Sequence, residues 1–133
     1  MIDLDAARLG LADVAGTVPG IERVYPRAVD GSIELPAVVI GLPEVEFDVA
    51  PCQTDTATIP VAVAVRRMGA NEEAVQQQLE DLWVAVATAI RGSLETGPLS
   101  NVGEGQCTRA VMGSLDIAGQ SWPAYVIEVE FTG

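Results

Sequence analysis

The sequence predicts an α+β fold: a mostly antiparallel sheet with two amphipathic helices packed on one face, in a single domain spanning residues 1–133. The order of elements is helix, several strands, helix, hairpin. It lacks strict βαβ alternation, a glycine-rich phosphate loop after a strand, and any internal repeat, which sets aside a doubly wound nucleotide-binding sheet. Two segments carry apolar residues at three- and four-residue steps, the helical period, while others carry them at every second residue or in short unbroken runs, as strands do. A chain of 133 residues is long enough to bury roughly two thirds of the surface its unfolded form exposes, so one self-sufficient core is expected.

Residues 3–17 read as the first helix, with Leu4, Ala7, Leu11, Val14 and Val18 on one face. Asp3 or Asp5 can accept backbone N–H bonds in the first turn, and Gly16 with Pro19 and Gly20 ends the element. A short strand is expected over 21–25. Pro26, Asp30, Gly31 and Pro36 then mark a loop or projecting arm. The apolar run 37–42 has the character of a strand covered on both faces. Over 44–49 the alternation is strict, Val45, Phe47 and Val49 pointing one way and Glu44, Glu46 and Asp48 the other, so a half-buried strand with an acidic outer face is expected.

Residues 57–68 form a long predicted strand with Ile59, Val61, Val63 and Val65 on one face. Pro60 lacks an amide donor, which favours an edge position or a bulge there. The second helix starts at Asn71 as N-cap, carries the stripe Val75, Leu79, Leu82, Trp83, Val86 and Ile90, and is expected to stop at Gly92 after Arg91. Residues 92–106, rich in Gly, Ser and Pro, read as a loop. Strands over 108–117 and 122–131 close the chain as a hairpin joined through 118–121, where Gly119 can supply a positive φ.

Composition removes several chemistries. Nineteen acids face seven bases for a net charge of −12, every base is arginine, and there is no histidine. The usual Ser-His-Asp and Cys-His systems, the HExxH zinc helix, the Walker lysine and the Schiff-base lysine are therefore all missing. Cys52 and Cys107 stand apart, in no metal-binding spacing, and both are expected to be reduced. No cofactor, no metal and no enzymatic activity are expected. Tight nucleic-acid binding is disfavoured, because it rests on clustered cations and counterion release. No apolar run approaches the length of about 20 that spans a bilayer, and residues 1–5 carry no basic and apolar signal pattern, so a cytoplasmic product without export is expected.

Several segments, taken in order, resemble the tail terminator (tail completion) proteins of long-tailed, non-contractile phages. They are the N-terminal helix, VYP at 24–26, PAVVIGLPEVEFD at 36–48, TIPVAVAVRR at 58–67, NEEAVQQQLEDLWVAVATAI from Asn71, and GSLDIAGQSWPAYVIEVEF from Gly113. The resemblance covers nearly the whole chain and rests on segment order, since none of these is a catalytic signature. It implies a virion protein, assembled in the host cytoplasm, that forms a homo-hexameric ring on the head-proximal end of the tail. That ring ends tube polymerisation, contacts the tail tube protein and the head-completion or neck protein, and passes DNA through its channel without specific binding or any membrane. Another head-tail connector or neck subunit, or a small-molecule-binding α+β domain, are the alternatives.

Within that expectation, Glu44, Glu46 and Asp48, with Glu128 and Glu130, form two acidic ladders that either are solvated strand faces or line the channel, where fixed negative charge keeps DNA from adhering. A glycosidic carboxylate pair at Glu128 and Glu130 is set aside, since no sugar-stacking aromatic cluster accompanies it. The expected loops supply candidate subunit or axial contacts: Arg27 and Asp30 in the first, Leu94, Glu95, Leu99 and Asn101 in the second. Arg66 and Arg67, at a strand end, are either further contacts or a solubilising tip. Trp83 is expected in the core and Trp122 in the core or an interface.

Overall fold

The expected α+β architecture is present in the computed structural model of the chain, which describes residues 3–26, 35–47, 55–65, 72–97, 99, 104–117 and 120–132. The elements are α1 (Leu4–Gly16), β1 (Arg23–Tyr25), β2 (Ala37–Ile40), β3 (Glu44–Glu46), β4 (Thr56–Ala64), α2 (Glu72–Thr96), β5 (Glu104–Ile117) and β6 (Gln120–Thr132). The strands form one six-stranded sheet in the order β1-β2-β4-β6-β5, with β3 pairing β4 below β2. All pairings are antiparallel except β1 with β2.

Asp3 caps α1 by accepting from the Ala6 N–H at 3.1 Å. The expected stripe is the buried one: Ala7, Leu11, Val14 and Val18 are in the core and Leu4 packs against it. Gly20 turns the chain toward β1 with a φ of 96°, a conformation that strains any residue with a β-carbon. Helix α1 lies over β1 and β2, α2 crosses β4, β6 and β5, and the two helices touch. Both therefore cover the same face of the sheet. Beneath them sit Val38 and Ile40 of β2, Ala57, Ile59, Val61 and Val63 of β4, Val65 just beyond it, and Ile127, Val129 and Phe131 of β6, all buried with the helix stripes. On α2, Trp83 is half-buried and its ring stacks on Tyr125, centroids 4.9 Å apart at 21°.

The structure corrects the end of the second helix. Gly92 does not stop it: α2 continues to Thr96, and the expected 92–106 loop shrinks because β5 already begins at Glu104. The added turn is held by packing. Ser93 is buried, and its Oγ accepts from the Leu99 N–H at 3.3 Å. Leu94 is half-buried beside Gly105, where a β-carbon would come within 2.5 Å of the Leu94 Cδ2. Gly97, tight against Ser93, is where the helix ends. The expected N-cap Asn71 lies outside the described residues. Among the described residues no helix is long and apolar enough to cross a membrane.

Candidate functional site: an acidic sheet face

The face of the sheet away from the helices is set by register. In β2, Val38 and Ile40 stand opposite Val63 and Val61 and face the helices. Continued without interruption, the same pairing would turn residues 44 and 46 inward as well, since side chains alternate with period two. Instead Glu44 stands opposite Thr58 and Glu46 opposite Thr56, a slip of one residue between Ile40 and Glu44. That bulge reverses the parity, so both glutamates point away from the helices while Val45 packs against the core. Phe47 departs from the expected burial: β3 ends at Glu46, the alternation is not continued, and Phe47 is 67% exposed.

Strand β6 carries the second ladder on the same outer face. Glu130 stands opposite Thr58 on one side and Gln106 on the other, which places Glu44, Thr58, Glu130 and Gln106 in one row. The next row holds Glu46, Thr56, Thr132 and Glu104, and the row on the other side holds Pro60, Glu128 and Arg109. The two ladders are thus one field of carboxylates carried by three strands, β3, β6 and β5, with the threonines of β4 between them. Neighbouring strands are about 4.8 Å apart, so Glu44 and Glu130, with β4 between them, are separated by roughly 10 Å at the backbone. Glu44, Glu46 and Glu104 are exposed, and Glu128 and Glu130 are partly exposed.

A second bulge lies in β5, between Cys107 opposite Val129 and Arg109 opposite Glu128, with Thr108 as the extra residue. It turns Arg109 outward, where its Nε donates to Glu128 Oε2. The Thr108 hydroxyl donates to the Glu128 carbonyl at 3.4 Å. Beyond the acids, the other end of the outer face is apolar: Ala37, Ala64 and Ala124 lie in one row, with Leu35, Tyr25, Leu115 and Trp122 packed over them. Trp122 is accordingly part of a small second core. The Arg23 guanidinium lies 5.7 Å from the centre of the Tyr25 ring at the edge of this patch. Between the two ends, Arg109, Val111, Met112, Gly113, Val126 and Glu128 border a shallow depression of about 160 Å³. Pockets that enclose a drug-sized ligand are larger, at about 300–1,000 Å³.

The other expected contact residues are distributed differently. Glu95 is exposed on the last turn of α2 and Leu94 is half-buried against the sheet. Leu99 is a correction: it is fully buried against α1, with one methyl where a side chain at Gly10 would sit, and it presents no surface to a partner. Asp48, Arg27, Asp30, Arg66, Arg67 and Asn101 lie outside the described residues. Sequence reasoning missed Glu104 and Arg109. Glu104 was hidden by the loop reading of 92–106, although Glu104 and Gln106 alternate as strand residues do. Arg109 was overlooked although a hairpin with residues 117 and 122 opposite each other already sets it against Glu130 of the same face; Ile117 instead stands opposite Gln120, which brings it to Glu128.

Among the described residues no three His, Cys, Asp or Glu side chains converge as they would around a metal ion. Cys107 is a free thiol, half-buried on the helix side of β5. Burial pushes its pKa up, and the positive charge of Arg91 partly opposes the shift. What the outer face offers is therefore electrostatic: carboxylates held at strand spacing, with Arg109 drawn to one of them. No protein-family model matches the chain, and no curated protein matches it in sequence.

Proposed function

We propose that the chain is a structural subunit of a long-tailed, non-contractile phage, a tail terminator that assembles with copies of itself into a ring on the head-proximal end of the tail tube. In that role it ends the addition of tube subunits and offers the docking surface for the head-completion or neck protein. One observation carries this reading beyond the segment resemblance: the sheet is sealed by both helices on one face and bears Glu44, Glu46, Glu104, Glu128 and Glu130 on the other.

Turned toward the axis of a ring, such a face forms a wall of fixed negative charge. Phosphates passing along it are repelled rather than gripped, so a duplex slides through without adhering. The net charge of −12 acts in the same direction. A sheet suits the task because its ladders hold carboxylates at set spacing, and the face needs neither a pocket nor a catalytic group. Copies in such a ring meet through a heterologous contact that closes only at the right rotation.

The experiment is to add the purified chain to polymerising tail tube protein and image the products by negative stain. A ring with a central hole at one tube end, and tubes that stop growing, is the expected result. Tubes of unaltered length with the chain bound only to head-completion proteins would move the assignment to another connector or neck subunit. Failure to bind either would refute the phage reading.

A further inference from the structure

On the outer face the acidic rows end at a notch. Val111 follows Arg109 on the same face of β5, and Gly113 follows Val111; a β-carbon on Gly113 would meet nothing within 4 Å. The missing side chain opens the shallow depression of about 160 Å³, which has Val111, Met112 and Val126 as apolar lining and the Arg109–Glu128 pair as charged border. That volume is too small to enclose a drug-sized ligand, which takes about 300 Å³ or more, but it admits a single side chain. On the other side of the pair, Glu130 stands four residues from Val126 along β6, and Glu104 lies in the next row, opposite Thr132. Among the described residues no cation pairs with Glu44, Glu46, Glu104 or Glu130. Arg109 is drawn to Glu128, so the border is locally neutral while the rows beyond it are negative.

We infer that this face docks an extended cationic segment of a partner protein, which seats one apolar side chain in the depression and lays cationic side chains four and six residues further on over Glu130 and Glu104. Charge and spacing select this occupant. At a rise of about 3.4 Å per residue, the Glu130 row lies about 14 Å from the Val126 row and the Glu104 row about 20 Å from it. An extended segment laid along β6 has the same rise, so its sheet-facing side chains, two residues apart, fall on successive rows. The side chain over the intervening row meets the Arg109–Glu128 pair and needs no charge. Nucleic acid is turned away by the same carboxylates that attract the cations. A second copy of the chain does not qualify, since no two of its seven bases stand two residues apart in the sequence. The partner is therefore a different protein, and its docking needs only this face, whether or not copies of the chain form a ring.

The test titrates the full chain, in dilute buffer, into two rhodamine-labelled peptides of one composition and follows fluorescence anisotropy. Gly-Leu-Ser-Gly-Ser-Lys-Ser-Lys-Gly has the inferred spacing, whereas Gly-Ser-Gly-Ser-Lys-Leu-Lys-Ser-Gly has its leucine between the lysines. The first is expected to bind about tenfold more tightly, the gain from seating its leucine. Gly113→Leu, which fills the depression where the structure leaves open space, is expected to remove that advantage, and Glu104→Gln/Glu130→Gln to weaken both peptides. Equal binding of the two peptides to the wild type overturns the inference, since cations then gather on the face by charge alone. So does the absence of binding, and so does an advantage that survives Gly113→Leu in a variant with wild-type circular dichroism. If that variant does not fold, the comparison of the two peptides on the wild type decides.

Discussion

The Gly41 N–H donates to the Pro60 carbonyl at 2.8 Å, and the Pro60 ring occupies the space a side chain at Gly41 would need, its Cγ 2.6 Å from where a β-carbon would stand. In a strand the nitrogen and carbonyl of one residue point to the same side, so the Pro60 nitrogen also faces the junction of β2 and β3. There the ladder slips by one residue and asks for no donor. The residue without an N–H and the residue without a side chain thus share the bulge that turns Glu44 and Glu46 outward. Gly41→Ala is expected to cost about 1–3 kcal/mol through overpacking. Pro60→Ala opens the space, so the two substitutions should couple favourably in a urea-denaturation double-mutant cycle. Additive costs would show that the ring and the glycine do not meet.

Leu99, expected at a partner contact, belongs to the core. It is fully buried, and a β-carbon on Gly10 of α1 would lie 2.7 Å from its Cδ2. Leu99→Ala should therefore destabilise the isolated chain by about 2–5 kcal/mol, the range for truncating a buried leucine. Thermal unfolding measures it. A change below 0.5 kcal/mol, the size of an ordinary surface effect of about ±0.5 kcal/mol, would return Leu99 to the surface.

Much of the architecture is legible in side-chain periodicity, and what escapes it is non-local. The stripe Leu4 to Val18, the Asp3 cap, the α2 stripe and the inward row Ile59, Val61, Val63 and Val65 all appear as read. These are properties of a segment facing one environment. Gly92 misled because a glycine ends a helix only where the chain must turn; here Ser93 and Leu94 find buried partners and draw the helix onward to Thr96. The parallel pairing of β1 with β2, and the two bulges that decide which acids share a face, are set by neighbours distant in sequence. Each ladder could be read from its own strand, but that they form one field could not.

The stacked pair Trp83 and Tyr125 ties α2 to β6. Aromatic contacts of this kind contribute about 0.5–1.5 kcal/mol beyond the area they bury. A cycle through Trp83→Leu and Tyr125→Leu should recover a coupling in that range. The indole nitrogen of Trp83 is buried without a hydrogen-bond partner among the described residues, so Trp83→Phe should cost less than Trp83→Leu, keeping an aromatic ring and dropping the orphaned donor. Equal losses for Phe and Leu would mean that the ring contributes only bulk.

For Cys107, burial raises the pKa by disfavouring the thiolate. The unfolded chain then releases its proton at lower pH than the folded one. Stability from this group is present below the ordinary thiol pKa of about 8.5 and falls as pH rises from there through the folded value. In a Cys52→Ser background, alkylation of Cys107 at neutral pH should be slower than that of the urea-unfolded chain, and Cys107→Ser should flatten the alkaline decline in stability. Folded and unfolded chains alkylating at one rate would show that the thiol is not shielded.

The acidic field has an energetic signature that can be read without any partner. Glu44, Glu46, Glu104 and Glu130 repel one another across the outer face, whereas Glu128 is engaged by Arg109 and is best left in place. Their backbone separations run from about 7 Å along β3 to about 14 Å across the sheet, on either side of the Debye length of about 10 Å at 0.1 M salt, so repulsion is strong in dilute buffer and largely screened at higher ionic strength. The wild-type Tm should therefore rise with added sodium chloride, and replacing these four residues by glutamine should raise the Tm most at low salt and flatten the salt dependence. The same variant separates two explanations of the charge. If the face repels DNA, the glutamine protein should be retained on a duplex-DNA column in dilute buffer more than the wild type, because other surface cations are then less opposed. A variant with altered salt dependence but unchanged retention would confine the field to the protein's own stability and remove the main support for a channel wall.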